Sequence, residues 1–289
     1  MHQIVKINKN IQDIFIKKIY LIFAVLVLEM IVSSLKQTLT KILFNPFTLI
    51  PVILVVIFNN FSGSIITSII ERPLIDFILY YETYSESNLL FIVLTQYPVE
   101  ILLLLGIGAL NLVISSIALM ALARIAKGDG IIDAINDSVL DWKKALALAF
   151  FIFIAIFLGI VSFFLLGSIF NFIADLIPQI GAILLLIVFP LVITILGLLI
   201  AVKTLFIIPA LIKDNLKKAI QKSWKFTDNK YWTTFVYLLA IAIVVYIVAF
   251  ITQNASLMLG EEYELIIFSI GDVIATTFFG LAVSYYYYN

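Results

Sequence analysis

Apolar residues along this chain come in long unbroken runs, not in the alternation of a half-buried strand or the spaced stripe of a surface helix. Six runs reach the length, about 20 residues, that an α-helix needs to cross a hydrocarbon core of about 30 Å. They are residues 19–36, 99–124, 145–170, 181–209, 231–253 and 264–286. Another apolar stretch, "FTLIPVILVVIF" at 47–58, is short and carries Pro51; residues 64–81 are comparable, so the segment 43–98 reads as interfacial or re-entrant. The pattern predicts an all-α polytopic helical membrane protein, one transmembrane domain over 1–289 with about six spans.

Composition agrees. The chain has 289 residues, 63% hydrophobic and only 12% charged, with a mean hydropathy of +1.17, too little polar surface to cover itself in water. Eighteen basic residues balance eighteen acidic ones, which argues against a nucleic-acid partner. With no cysteine, disulfides, thiolate metal sites and thiol nucleophiles are excluded. The single histidine, His2, lies in a tail. No histidine-containing triad, paired carboxylates or metal-ligand spacing appears, so no catalytic centre, metal site or cofactor is predicted.

Charge position sets orientation, because basic residues near spans stay in the cytoplasm. Segments 1–18, 124–144 and 203–230 hold 15 of the 18 basic residues, whereas "ERPLIDFILYYETYSESN" from Glu71 and "LGEEYE" up to Glu264 are mostly acidic. Six spans then put both termini in the cytoplasm and Tyr285–Tyr288 at the inner interface of the cell membrane. A signal peptide over residues 1–35 is the rival reading of the basic start, but no small-residue cleavage site follows.

Three basic-side segments resemble one another: "NIQDIFIKKIYLIF" from residue 10, "DAINDSVLDWKKALALAFF" from 133 and "KAIQKSWKFTDNKYWTTFVYL" from 218, with Ile11, Ile135 and Ile220 aligned beside Gln12, Asn136 and Gln221. The implied unit is a cytoplasmic amphipathic helix, an outward span and a return span, used three times in parallel. Leu216, Ala219, Ile220, Ser223 and Phe226 share one helical arc, and Lys217, Lys218, Lys222 and Lys225 lie outside it. Such a helix suits the membrane surface, with the bilayer and its anionic headgroups as partner. The helix around residue 133 is acidic, with Asp129, Asp133, Asp137 and Asp141 at four-residue spacing. Either it pairs with the basic helix, Asp133 and Asp137 against Lys218 and Lys222, or it is a solvated acidic face. A divalent-metal site is disfavoured, since such ligands usually come from loops or converging elements.

Three charges fall inside apolar runs: Glu29, Lys203 and Asp272. A charge at mid-bilayer costs about 2.5–3.5 kcal/mol on insertion scales. Glu29 and Lys203 are at depths that permit a buried pair, against the plainer reading of a snorkelling lysine and a protonated glutamate. Asn111, Ser115, Ser116, Gly106 and Gly108 mark close helix packing.

The stretch Gly197 to Trp232, "GLLIAVKTLFIIPALIKDNLKKAIQKSWKFTDNKYW", resembles the signature of the glycerophosphoryl diester phosphodiesterase membrane-domain family and the related YciC-like membrane proteins. The matching positions are Gly197, Lys203, Pro209, Asp214, Ala219, Ser223 and Trp232, and Ala134 to Ser138 echoes the Ala-x-x-x-Ser element. Ile195 and Leu196 stand where the family has a proline before the glycine. The resemblance implies a six-helix membrane module, fused in some relatives to a soluble phosphodiesterase domain that nothing in this chain could form. The expected function is a non-enzymatic membrane-organising, lipid-contacting or partner-binding module, the alternative a small-substrate or lipid transporter using Glu29, Lys203 and Asp272.

Overall fold

The structure is a computed structural model and describes residues 28–81, 96–176, 181, 183–228 and 230–289. Its elements are α1 (residues 28–44), α2 (Ile50–Tyr81), α3 (Pro98–Lys127), α4 (Ile131–Leu140), α5 (Trp142–Leu176), α6 (Phe189–Thr204), α7 (Ile207–Leu211), α8 (Leu216–Asp228), α9 (Tyr231–Leu259) and α10 (Glu264–Tyr288). No strand occurs among the described residues. Six stretches are long and apolar enough to cross a membrane: Pro46–Glu71, Pro98–Lys127, Trp142–Ala174, Leu186–Leu211, Tyr231–Leu259 and Glu264–Tyr288. The protein is thus a multi-pass helical membrane protein.

Two departures from the sequence reading concern the first third. The segment expected as two interfacial or re-entrant pieces is instead one continuous 32-residue helix, α2, about 48 Å long. A re-entrant piece must turn back, and α2 does not. Pro51 is its second residue, where a missing N–H costs nothing because the first turn has no partner for it. The run expected at 19–36 lies partly outside the described residues; its remainder belongs to α1, which continues past Lys36 to residue 44.

The elements fall into three units of a short helix followed by two long antiparallel ones: α1–α2–α3, α4–α5–α6/α7 and α8–α9–α10. In each short helix two small residues four apart are wholly buried: Ser34 and Thr38, Ala134 and Ser138, Ala219 and Ser223. Small side chains at that spacing let a helix lie flush on its neighbour. From α4 to α10 the unit has the expected form; the first copy, expected to start at residue 10, lies outside the described residues with Ile11 and Gln12, and α1, described from residue 28, falls where its outward span was expected and carries the same buried pair at Ser34 and Thr38.

Each short helix seats on the return helix of the unit before it. Ala134 of α4 packs in a cluster with Leu122 and Ile125 of α3, and Ala219 of α8 with Ile207, Ala210 and Leu211 of α7. On the same scheme α1 seats on α10: Ile31 joins Phe278, Ala282, Val283 and Tyr286, and Asn289 Nδ2 donates to Gln37 Oε1 at 3.1 Å. The chain thereby closes into a ring.

Nearly all of the buried core lies at the end carrying the short helices, where Met120, Leu122, Phe206, Leu211, Tyr237, Leu281 and Tyr286 are inaccessible. Tyr237 donates to the Ala282 carbonyl at 2.7 Å and stacks on Tyr286 with ring centres 4.2 Å apart. Toward the other end α5 and α6 are largely exposed and apolar, Phe153, Phe157, Phe164, Leu191 and Leu199 among them, as suits helices solvated by lipid. Of the lysines and arginines in residues 28–289, all but Arg72 belong to the core end.

Candidate functional site

On α1 the buried positions Ile31, Ser34 and Thr38 define one face. Ser33, Lys36, Gln37, Thr40 and Lys41 follow the same three-to-four spacing on another. With Phe44, Asn45 and Tyr285 these side chains line a cavity of about 620 Å³. Two lysines, three hydroxyl-bearing and two amide side chains line it, and among the described residues no carboxylate does. Neither lysine forms an ion pair among the described residues. Such a donor set recognises phosphate oxygens.

A single turn of 3₁₀ helix, Pro46–Leu49, separates Asn45 from α2. Its geometry is set by Pro46 in the first turn and by Thr48, whose hydroxyl donates to the Asn45 carbonyl at 2.9 Å. At Leu49 a second cavity of about 450 Å³ begins, an apolar groove between α2 (Ile53, Val56, Ile57) and α10 (Ile266, Ile270, Ile274). Ile274 and Tyr285 are eleven residues apart, close to three full turns, so groove and pocket share one face of α10. From Leu49 to Asn60 the groove follows α2 for about 16 Å, half the thickness of a hydrocarbon core.

Of the two readings of the charged helices, pairing with each other does not occur among the described residues. Arg124, its side chain 10% exposed, donates through Nη1 to Asp137 Oδ2 at 3.2 Å and through Nη2 to Asp141 Oδ2 at 2.6 Å. Lys144 adds a bond to Asp141 at 3.0 Å and another to the Ile212 carbonyl at 3.1 Å. On α8, Lys222 reaches Asp214 at 2.6 Å, and that hydrogen bond raises the lysine's pKa above its ordinary value. Asp133 and Lys218 have no ion-pair partner among the described residues. The physical reason is the seating scheme: α4 lies on the end of α3, where Arg124 meets its carboxylates, and α8 lies on α6 and α7.

The three charges of the apolar runs are also kept apart. Glu29 is exposed on α1, and Lys203 at the core end of α6 bonds Asp228, so no Glu29–Lys203 pair forms. Asp272 lies on the opposite half of α10. Lys203 belongs to a joint that sequence reasoning missed. Pro209 has no N–H and its ring crowds the carbonyl of residue 205, breaking the helix at Leu205–Phe206. Ser223 of α8 mends the break, its Oγ accepting from the Phe206 N–H at 3.2 Å and donating to the Lys203 carbonyl at 2.6 Å.

Lys36 and Lys41 were not singled out from sequence, because the run 19–36 ends at Lys36. The signal available was "SLKQT" at 34–38, small residues four apart like "AINDS" at 134–138 and "AIQKS" at 219–223. Comparison with protein-family models, curated proteins and solved structures finds no match.

Proposed function

We propose that the protein is a non-enzymatic module of the cytoplasmic membrane that holds an anionic phospholipid, headgroup in the Lys36–Lys41 pocket and acyl chain along the α2–α10 groove. The observation carrying this is a basic pocket that reaches Asn45 and, four residues on at Leu49, the start of an apolar groove one leaflet long on the same face of α10. The lysine-rich end faces the cytoplasm, following the distribution of basic residues, so both termini are cytoplasmic. There Lys217, Lys218, Lys222 and Lys225 are exposed on α8, each worth about 1 kcal/mol beside an anionic leaflet.

Kinship with the glycerophosphoryl diester phosphodiesterase membrane-domain family belongs to the same proposal. What supports it is that signature positions Lys203, Pro209 and Ser223 meet in the single joint beneath α8.

The test is native mass spectrometry of the full chain released from nanodiscs of mixed zwitterionic and anionic phospholipid. One anionic lipid retained per chain is expected, lost in Lys36→Gln/Lys41→Gln. Equal retention of zwitterionic lipid, or full retention by the double variant, overturns the reading. Single cysteines at Lys218 and Glu262, in a chain with none of its own, check orientation: an impermeant reagent must label them from opposite faces.

A further inference from the structure

Asp272 lies eight residues into α10, about 12 Å from its start and thus deep in the hydrocarbon layer. It carries no hydrogen bond or ion pair in the described structure, yet it is not surrounded by hydrocarbon alone. With Asn59, Asn60, Ser115 and Thr276 it lines a cavity of about 200 Å³ between α2, α3 and α10. Five oxygen-bearing side chains from three helices meet there, at the middle of the spans Pro46–Glu71 and Pro98–Lys127.

Hydrogen bonding fixes how one amide is used. Ser269 Oγ donates to the Leu265 carbonyl at 2.7 Å, so its lone pairs accept the Asn60 Nδ2 that lies 2.9 Å away. Asn60 Oδ1 is therefore the atom left over as an acceptor. The groups remaining are a carboxylate, amide oxygens and hydroxyls, hard oxygen ligands suited to a small metal cation. One carboxylate neutralises one positive charge. A divalent ion would leave a net charge in a low-dielectric layer, at a cost the neutral ligands do not offset; nor is any cluster of three acidic, histidine or cysteine side chains present among the described residues.

We infer that this cavity binds one small monovalent cation, an alkali ion of the sodium or lithium class, with Asp272 neutralising it and the side-chain oxygens of Asn59, Asn60, Ser115 and Thr276 replacing its water. The site shares Val56 and Asn60 with the apolar groove but no residue with the Lys36–Lys41 pocket.

Equilibrium binding of radiolabelled sodium to the full chain in nanodiscs of purely zwitterionic lipid, with choline chloride holding ionic strength constant, tests it. Saturable binding of one sodium per chain is expected, together with a saturating rise of the thermal midpoint in sodium that choline does not reproduce. Asp272, like Asn59 and Asn60, is exposed on its helix, so Asp272→Asn should weaken binding roughly tenfold, the scale of one charge-assisted contact and below that of a buried pair. Asn60→Leu, which removes a ligand oxygen without changing charge, should weaken it. Wild-type protein that binds no sodium or lithium above the choline background overturns the inference, as does Asp272→Asn that folds and binds like wild type. A midpoint that depends on pH but on no alkali ion also overturns it, and assigns Asp272 to proton binding.

Discussion

Ser138 and Ser223 hold the same place in two copies of one repeat, both wholly buried, yet removing their hydroxyls should have different consequences. Ser138 Oγ donates only to the Ala134 carbonyl at 2.7 Å, four residues back on its own helix. That carbonyl keeps its place in the helix, so Ser138→Ala should change stability by less than about 1 kcal/mol. Ser223 Oγ instead serves two groups of another helix, the Phe206 N–H and the Lys203 carbonyl, at the break Pro209 imposes. Phe206 is inaccessible, so no water replaces the lost partner. An orphaned buried group costs about 1–3 kcal/mol, and the Lys203 carbonyl bond, only partly buried, adds about 1, so Ser223→Ala should cost about 2–4 kcal/mol. Reversible unfolding of the purified protein in mixed micelles, followed by circular dichroism against denaturant fraction, measures both variants on one scale. Ser223→Ala within about 0.5 kcal/mol of Ser138→Ala would mean the break is self-sufficient and the reasoning wrong.

A methyl added at Gly271 would sit 2.6 Å from Thr252 Cγ2, and Thr252 is held by its bond to the Ala249 carbonyl at 2.9 Å. Gly271→Ala should thus cost about 1–3 kcal/mol by overpacking, with partial rescue by Thr252→Ala in a double-mutant cycle. Gly108 has no atom within 4 Å of the same methyl, so Gly108→Ala should instead stabilise by about 0.5–1 kcal/mol in the same assay. Arg124→Met strips Asp137 of its partner and leaves Asp141 with Lys144 alone; because Asp137 is 54% exposed the loss should be about 1–3 kcal/mol, below the range for a fully buried pair, and Asp137→Asn should cost less still. Lys222 has its pKa raised by Asp214, so its pairing contributes fully below the lysine's unfolded value of about 10.4 and is lost as pH climbs through the raised value. The difference in thermal midpoint between wild type and Lys222→Gln should be constant from pH 7 to about 10 and shrink above it.

Long apolar runs carried their meaning in the sequence because a bilayer demands length and little else: residues 99–124, 231–253 and 264–286 sit inside α3, α9 and α10. The span missed, α2, is disguised by polarity. Asn59, Asn60, Ser62, Ser64, Thr67 and Ser68 break its apolar run, but their polarity is absorbed locally. Ser64, Thr67 and Ser68 donate to carbonyls three or four residues back, and Ser62 faces Asn111 Nδ2 at 3.2 Å. Periodicity cannot show that a hydroxyl is satisfied by its own helix. The charge pairings were illegible for a related reason. Opposite stripes on two helices suggest a pair, but which faces meet is decided by where the small residues Ala134 and Ala219 allow close approach, and that set the acidic stripe against Arg124.

Ring closure explains why α1 differs from its two counterparts. Helices α4 and α8 seat on return helices that directly precede them, contacts of short sequence separation that form as soon as both elements exist. The seat of α1 is α10, the last helix of the chain, so Ile31 and Gln37 meet Tyr286 and Asn289 only when some 250 residues lie between them. Closing so long a loop carries an entropic cost that local contacts avoid. The α1 seat therefore forms only once α10 is in place, and both proposed sites border it or lie against α10. The pocket proposed to hold phospholipid takes seven lining residues from α1 and the turn after it and one, Tyr285, from α10. A lipid bound there bridges the two ends of the chain, and binding energy spent on the closed ring alone shifts the equilibrium toward it.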